Sequence, residues 1–239
     1  MNKADFYLYN RTEQRELPSA GINPKVNDPK LYIPSDGLVN AVNVSIALGQ
    51  PLLLTGEPGT GKTRLADHIA HIFKLGRPLV FNAQTTSSVK DLFYRYDALS
   101  HFQYSQTSQA GLKNEEIENR YITYQALGKA IKEDAKRVVL IDEIDKAPRD
   151  LPNDVLAALE DLSFSVPEIN KHYSSSHENR PLIIITSNSE KNLPDAFLRR
   201  VVFYHIPFPD AQQLLTILKS KVNGFSDAGV ESLIAHFEI

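Results

Sequence analysis

The octapeptide GEPGTGKT, Gly56–Thr63, places three glycines, a lysine and a threonine at fixed spacing directly behind the apolar run PLLLT. The spacing, GxxxxGK[ST], suits the cradling of phosphate. Gly56, Gly59 and Gly61 let backbone N–H groups turn inward as an anion nest, with Glu57, Pro58 and Thr60 filling the loop. A helix beginning near Gly61 would aim its positive end at the same point. Lys62 is expected to reach the β- and γ-phosphates, and the Thr63 hydroxyl to take a Mg²⁺ position.

A second stretch, VVLIDEID (138–145), puts Asp142 and Glu143 just past an apolar run. Asp142 is expected to complete the Mg²⁺ shell with Thr63. Glu143 points differently and could accept a proton from an attacking water. Thr186-Ser187-Asn188 ends another apolar run. Its Asn188 amide could hold that water, or be a plain turn residue. Finally, FLRRVVFYHIPFP sets Arg199 and Arg200 beside an apolar segment. As cations near the C-terminus of a short helix they would gain a few tenths of a kcal/mol from its dipole, without any partner.

These residues need a frame. Five apolar runs, PLLLT (51–55), PLVFN (78–82), VVLID (138–142), LIIIT (182–186) and VVFYHI (201–206), do not alternate with polar residues. Near-continuous apolar runs indicate strands covered on both faces. Helical spacing precedes them at 35–50 and falls between them at 61–75, within 114–135, at 150–163 and at 193–200. The pattern predicts an α/β fold: a three-layer P-loop NTPase sandwich around a five-stranded parallel sheet. Its strand ends would share one rim with the phosphate loop.

Two segments exceed what such a sheet needs. Residues 84–114 are polar but dotted with aromatics, and 163–180 read as a short hairpin with a Ser-rich tip. Residues 1–34 read as an extended arm, 35–208 as the nucleotide-binding α/β domain, and 209–239 as the start of a small all-helical lid. The pattern stops inside an amphipathic stretch, so a truncated lid is expected.

Composition narrows the class. Hydrophobic residues make up 42% and charged residues 23%, ordinary for a chain that buries a core. A formal charge of −3 and pI near 6.2 argue against general attraction to nucleic acid or anionic membrane. There is no cysteine, hence no disulfide or thiolate metal site. The N-terminus lacks a signal-peptide core, and no apolar run approaches the roughly 20 residues that span a bilayer. A cytoplasmic protein is expected.

With GEPGTGKT, VVLIDEID, ITSN and LPDAFLRR in that order, the chain resembles the AAA+ ATPases over about residues 30–222, and within them the MoxR group most. The resemblance implies hydrolysis of ATP with Mg²⁺ in a hexameric ring of identical subunits that remodels partner proteins, among them proteins with von Willebrand factor A-type domains. It implies that Glu143 is the catalytic glutamate and Asn188 the first sensor. Arg200, with Arg199 a close second, would be a finger entering the neighbour's site. It identifies 84–114 and 163–180 as the group's inserts, and points to Tyr32 and Ile33 for adenine. The family's second-sensor arginine has no counterpart, since no arginine follows Arg200. Two alternatives stand beside this reading. One is a GTP-preferring motor of a modification-dependent restriction system, and the other a nucleotide-dependent scaffold without appreciable turnover.

Overall fold

The computed structural model describes residues 24–107, 111–189 and 193–221. Pro34–Phe208 forms one compact unit; the described residues of 1–33 and 209–239 form another.

The larger unit opens with α1 (Asp36–Leu48), whose N-cap Ser35 accepts the Leu38 N–H and whose C-cap Gly49 is left-handed. There follow β1 (Leu52–Thr55), α2 (Lys62–Ile72), β2 (Leu79–Asn82), α3 (Lys90–Phe93), β3 (Tyr94–Tyr96), α4 (Ala98–Thr107), α5 (Asn114–Tyr121), β4 (Ile122–Tyr124) and α6 (Ala126–Glu133). The second half runs β5 (Val138–Asp142), α7 (Leu151–Asp161), β6 (Ser163–Val166), β7 (Lys171–Ser174), β8 (Leu182–Thr186), α8 (Asp195–Leu198) and β9 (Val202–His205).

Five of these strands form one sheet in the order β2-β5-β8-β1-β9, all parallel. Its centre is dry: Leu52, Leu53, Leu54, Val138 and Val139 are fully buried. Each such aliphatic side chain contributes about 1.5–3 kcal/mol by leaving water. This is the sheet that the five apolar runs predict, with helices on both faces.

The segment 114–135 is not continuous helix. Residues Ile122–Tyr124 interrupt it as β4, which pairs antiparallel with β3. A β-branched and aromatic run, ITY, fits an extended ladder better than a helix. The hairpin in 163–180 also differs from the expectation. Its strands β6 and β7 pair from Ser163↔Ser174 to Val166↔Lys171, so the tip is the 3-10 turn Pro167–Ile169. Pro167 presets the turn and Asn170 closes it at φ 51°. The serines end β7 and follow it, and Ser176 donates through N–H and Oγ to Asp134 Oδ1 at 2.8 and 2.9 Å.

The two segments that the sheet does not need pack on each other. Phe164 of β6 stacks on Phe93 at 5.0 Å and on Tyr173 at 5.2 Å. Tyr94 donates to Glu168 at the hairpin tip over 2.9 Å. Glu118 of α5, with a side chain only 9% exposed, gathers Lys132 from α6 and Lys171 from β7, each at 2.5 Å. Tyr124 and Tyr173 add hydroxyl donors to the same carboxylate at 2.8 and 3.0 Å. Gly128 lets α6 approach the end of α3: a Cβ there would lie 1.9 Å from the Phe93 carbonyl oxygen.

The smaller unit holds the 3-10 turn Pro29–Leu31 and α9 (Ala211–Lys221). Lys221 Nζ donates to the Val26 carbonyl at 3.2 Å. The expected lid helix at 227–239 and most of the expected arm lie outside the described residues.

Candidate functional site

The loop Gly56–Gly61 leaves β1 and enters α2 with three glycines at positive φ: 139° at Gly56, 88° at Gly59 and 89° at Gly61. At Gly56 two constraints coincide. The backbone angle disfavours any side chain, and a Cβ would meet the Ile206 carbonyl oxygen at 2.4 Å.

Lys62, the first residue of α2, is 8% exposed. Its Nζ donates to the Gly56 carbonyl at 2.7 Å and the Glu57 carbonyl at 2.9 Å. Burial pushes its pKa below the ordinary value, opposed by the negative charge of Asp145, Asp142 and Glu143. A buried ammonium satisfied by loop carbonyls is a donor that phosphate oxygens can recruit.

Asp142 ends β5 next to β8 and receives hydroxyls from two sides. Thr63 Oγ1 lies 3.1 and 3.3 Å from its two oxygens, and Thr186 Oγ1 donates to Oδ1 at 2.5 Å. Glu143 sits in the left-handed region at φ 56°, ψ 49°. That conformation costs a non-glycine residue about 1–2 kcal/mol. Its N–H is held by Thr186 Oγ1 at 2.9 Å. Its carboxylate accepts Lys146 Nζ on Oε2 at 2.5 Å and Asn188 Nδ2 on Oε1 at 3.4 Å. The Lys146 ammonium, more than any other neighbour, holds the Glu143 carboxyl below the usual range. Asn188 is fixed in turn by its N–H, which donates to Asp145 Oδ1 at 3.2 Å.

The structure therefore brings Lys62, Thr63, Asp142, Glu143 and Asn188 to one rim of the sheet. Arg199 and Arg200 stand elsewhere. Arg199 caps α8 and is exposed, and Arg200 lies 3.8 Å from Glu160, both side chains in solvent. Among the described residues no hydrogen bond or ion pair links either arginine to the network. Tyr32 and Ile33 belong to the smaller unit, where Tyr32 caps the turn Pro29–Leu31 and Ile33 is exposed. Three members escape sequence reasoning: Thr186, Asp145 and Lys146. All lie within or beside the quoted motifs, but no residue type or spacing there says which carboxylate each would hold.

A hydroxyl and a carboxylate at hydrogen-bond distance are hard oxygen donors of the kind Mg²⁺ accepts. Among the described residues no group of three or more His, Cys, Asp or Glu could hold a metal unaided. Mg²⁺ keeps water and phosphate oxygens in its shell and takes one or two carboxylates from protein. Among the same residues no helix is long and apolar enough to cross a membrane.

A family profile described as "AAA domain (dynein-related subfamily)" matches residues 51–201. Lon protease of Metamycoplasma arthritidis is 30% identical over 217 residues, covering 84% of this chain and 22% of that protein. The mitochondrial Lon protease homolog 1 of Dictyostelium discoideum is 28% identical over 201 residues, 77% of this chain and 18% of that one. The chain thus spans about a fifth of the length of these relatives. A crystal structure from Cytophaga hutchinsonii, provisionally described as an ATPase, superposes with a TM-score of 0.54 at 16% identity. It covers 90% of this chain and 63% of its own, a likeness of fold alone.

Proposed function

The chain belongs to the AAA domain family, dynein-related subfamily, and from that premise we propose that it is a MoxR-type ATPase that works as a ring and remodels partner proteins. The observation that carries the reading is the hydrogen-bond network joining Thr63, Asp142, Glu143 and Asn188, with Lys62 close enough to feel the charge of its carboxylates.

Gly56–Thr63 wraps the phosphates of ATP with backbone N–H groups, and Lys62 exchanges its carbonyl partners for phosphate oxygens. Thr63 and Asp142 hold Mg²⁺, which when bound neutralises phosphate charge. Glu143 takes the proton of the attacking water, and Asn188 keeps that carboxylate aligned. Arg200 and Arg199, exposed and outside their own subunit's network, serve the neighbouring copy. A finger of this kind contributes about 10³–10⁵ in rate. The inserts, packed into one platform through Phe93 on Phe164 and Tyr94 on Glu168, face the remodelled protein, for which a von Willebrand factor A-type domain is the expected class. A hexameric ring and adenine contacts from Tyr32 and Ile33 belong to the same proposal.

The test is ATP and GTP turnover per subunit over a wide range of protein concentration, with Glu143→Gln as control. Specific activity that rises with concentration, prefers ATP and collapses in Glu143→Gln is expected. Flat activity removes the finger in trans, preference for GTP moves the chain to the restriction-motor reading, and equal turnover by Glu143→Gln removes the assigned base.

A further inference from the structure

Thr186 is the first polar residue of an otherwise apolar strand, LIIIT, and it is 1% exposed. Ile185 pairs with Ile141 across the β5–β8 ladder, so the next step in register sets Thr186 beside Asp142. A buried strand threonine ordinarily satisfies its hydroxyl on a backbone carbonyl. Here both partners are the reaction's own acids. The hydroxyl hydrogen goes to Asp142 Oδ1 at 2.5 Å, and an oxygen lone pair receives the Glu143 N–H at 2.9 Å.

We infer that Thr186 is a positioning residue for the Mg²⁺ and water-activating groups, acting through Asp142 and Glu143 without touching nucleotide. The inference rests on the ATPase reading above. One hydroxyl performs two jobs at once. It fixes which way the Asp142 carboxylate faces, holding both of its oxygens within reach of Thr63 Oγ1, at 3.1 and 3.3 Å. It also pins the backbone of Glu143 at φ 56°, which glutamate does not favour unaided. Strand β8 thereby couples to the strand that carries the carboxylates through its last residue, Thr186, as well as through Asn188 just beyond it. A hydroxyl that fixes a ligand's orientation is usually worth about 10- to 100-fold in metal affinity or activity.

Thr186→Val keeps volume and β-branching but removes the hydroxyl, whereas Thr186→Ser keeps the hydroxyl. Turnover is measured together with binding of a fluorescent ADP analogue, without metal and across a Mg²⁺ titration. In Thr186→Val, kcat falls about 10- to 100-fold and half-saturating Mg²⁺ rises by a similar factor. Metal-free affinity for the analogue stays within about twofold, because Lys62 and the glycine loop are untouched, and Thr186→Ser recovers both losses. Thr186→Ala supplies the same comparison if the valine variant does not fold. The inference is overturned if kcat and Mg²⁺ dependence both stay at the wild-type level. It is equally overturned if metal-free binding and melting temperature fall in step with turnover, since that marks a residue of general structural importance. Should the wild-type chain itself fail to hydrolyse ATP, the ATPase reading falls, and the Mg²⁺ titration of analogue binding still decides the role of Thr186.

Discussion

Glu118→Gln removes one charge from the junction of α5, β4 and α6 with the β6–β7 hairpin and leaves the shape. Four donors converge on the carboxylate, two of them ammonium groups at 2.5 Å. Burial alone would raise its pKa. The hydrogen bonds from Lys132, Lys171, Tyr124 and Tyr173 outweigh burial and pull the carboxyl from the ordinary 4.5 down to about 2. At about 1.36 kcal/mol per pH unit, that difference corresponds to about 3 kcal/mol favouring the folded state when the group is ionised. The sign follows from proton uptake. Above about pH 5 both folded and unfolded chains carry Glu118 as carboxylate and the stabilisation is complete. As pH falls through 4.5 the unfolded chain takes up a proton first, and below about 2 nothing remains of the effect. Glutamine cannot take part in that cycle. Near neutral pH, Glu118→Gln should lower the melting temperature by about 6–12 °C, using about 2–4 °C per kcal/mol for a unit of this size. The gap between the two proteins should close as pH is lowered from 5 toward 2. Thermal unfolding followed by circular dichroism at a series of pH values reads both quantities. A gap of the same size at pH 7 and pH 3 would refute the reasoning, because it would trace the loss to packing and not to the charge.

Gly128→Ala drives a methyl group to within 1.9 Å of the Phe93 carbonyl oxygen, a backbone atom that cannot swing away. The variant is expected to lose several kcal/mol, more than the 0.5–3 kcal/mol of an ordinary substitution, and to expose the insert platform to limited proteolysis. Lys62→Ala deletes an ammonium that satisfies two carbonyls and faces three carboxylates. Charge-assisted hydrogen bonds of about 1.5–3 kcal/mol translate to a loss of roughly 10- to 100-fold in nucleotide affinity, measured by titration with a fluorescent ATP analogue.

The central sheet was legible because buried parallel strands need no alternation. LLL at 52–54 and VVLI at 138–141 are too apolar to face water on either side, and their bounds in the structure fall within a residue of the apolar runs. The phosphate loop was legible for a different reason: glycine spacing encodes backbone angles directly, and all three glycines adopt the positive φ that the loop requires. Elements whose form depends on distant partners were harder to read. Residues 122–124 become a strand by pairing with 94–96, and a local helical pattern on either side conceals that. Ser-rich sequence at 174–176 looked like a hairpin tip, yet the turn is made by Pro167 and Asn170, which fix the backbone angles. Thr186 and Lys146 were invisible as site residues for a related reason. A threonine at a strand end and a lysine after an acidic stretch are common, and only the register of β5 against β8 gives Thr186 its partners.

The strand order also dictates when the fold can exist during synthesis. The first two sheet strands to leave the ribosome, β1 and β2, are never neighbours, being separated by β5 and β8. β2 must wait for Val138–Asp142, while β1 must wait for Leu182–Thr186 on one side and Val202–His205 on the other. Until then Leu52, Leu53 and Leu54, which end with no exposure at all, have no ladder to join. Loop closure over so long a stretch is slow, and unsheltered apolar strands invite association between nascent chains. The emerging polypeptide is thus vulnerable from the moment the phosphate loop is made until β8, some forty residues beyond the acidic stretch, has followed.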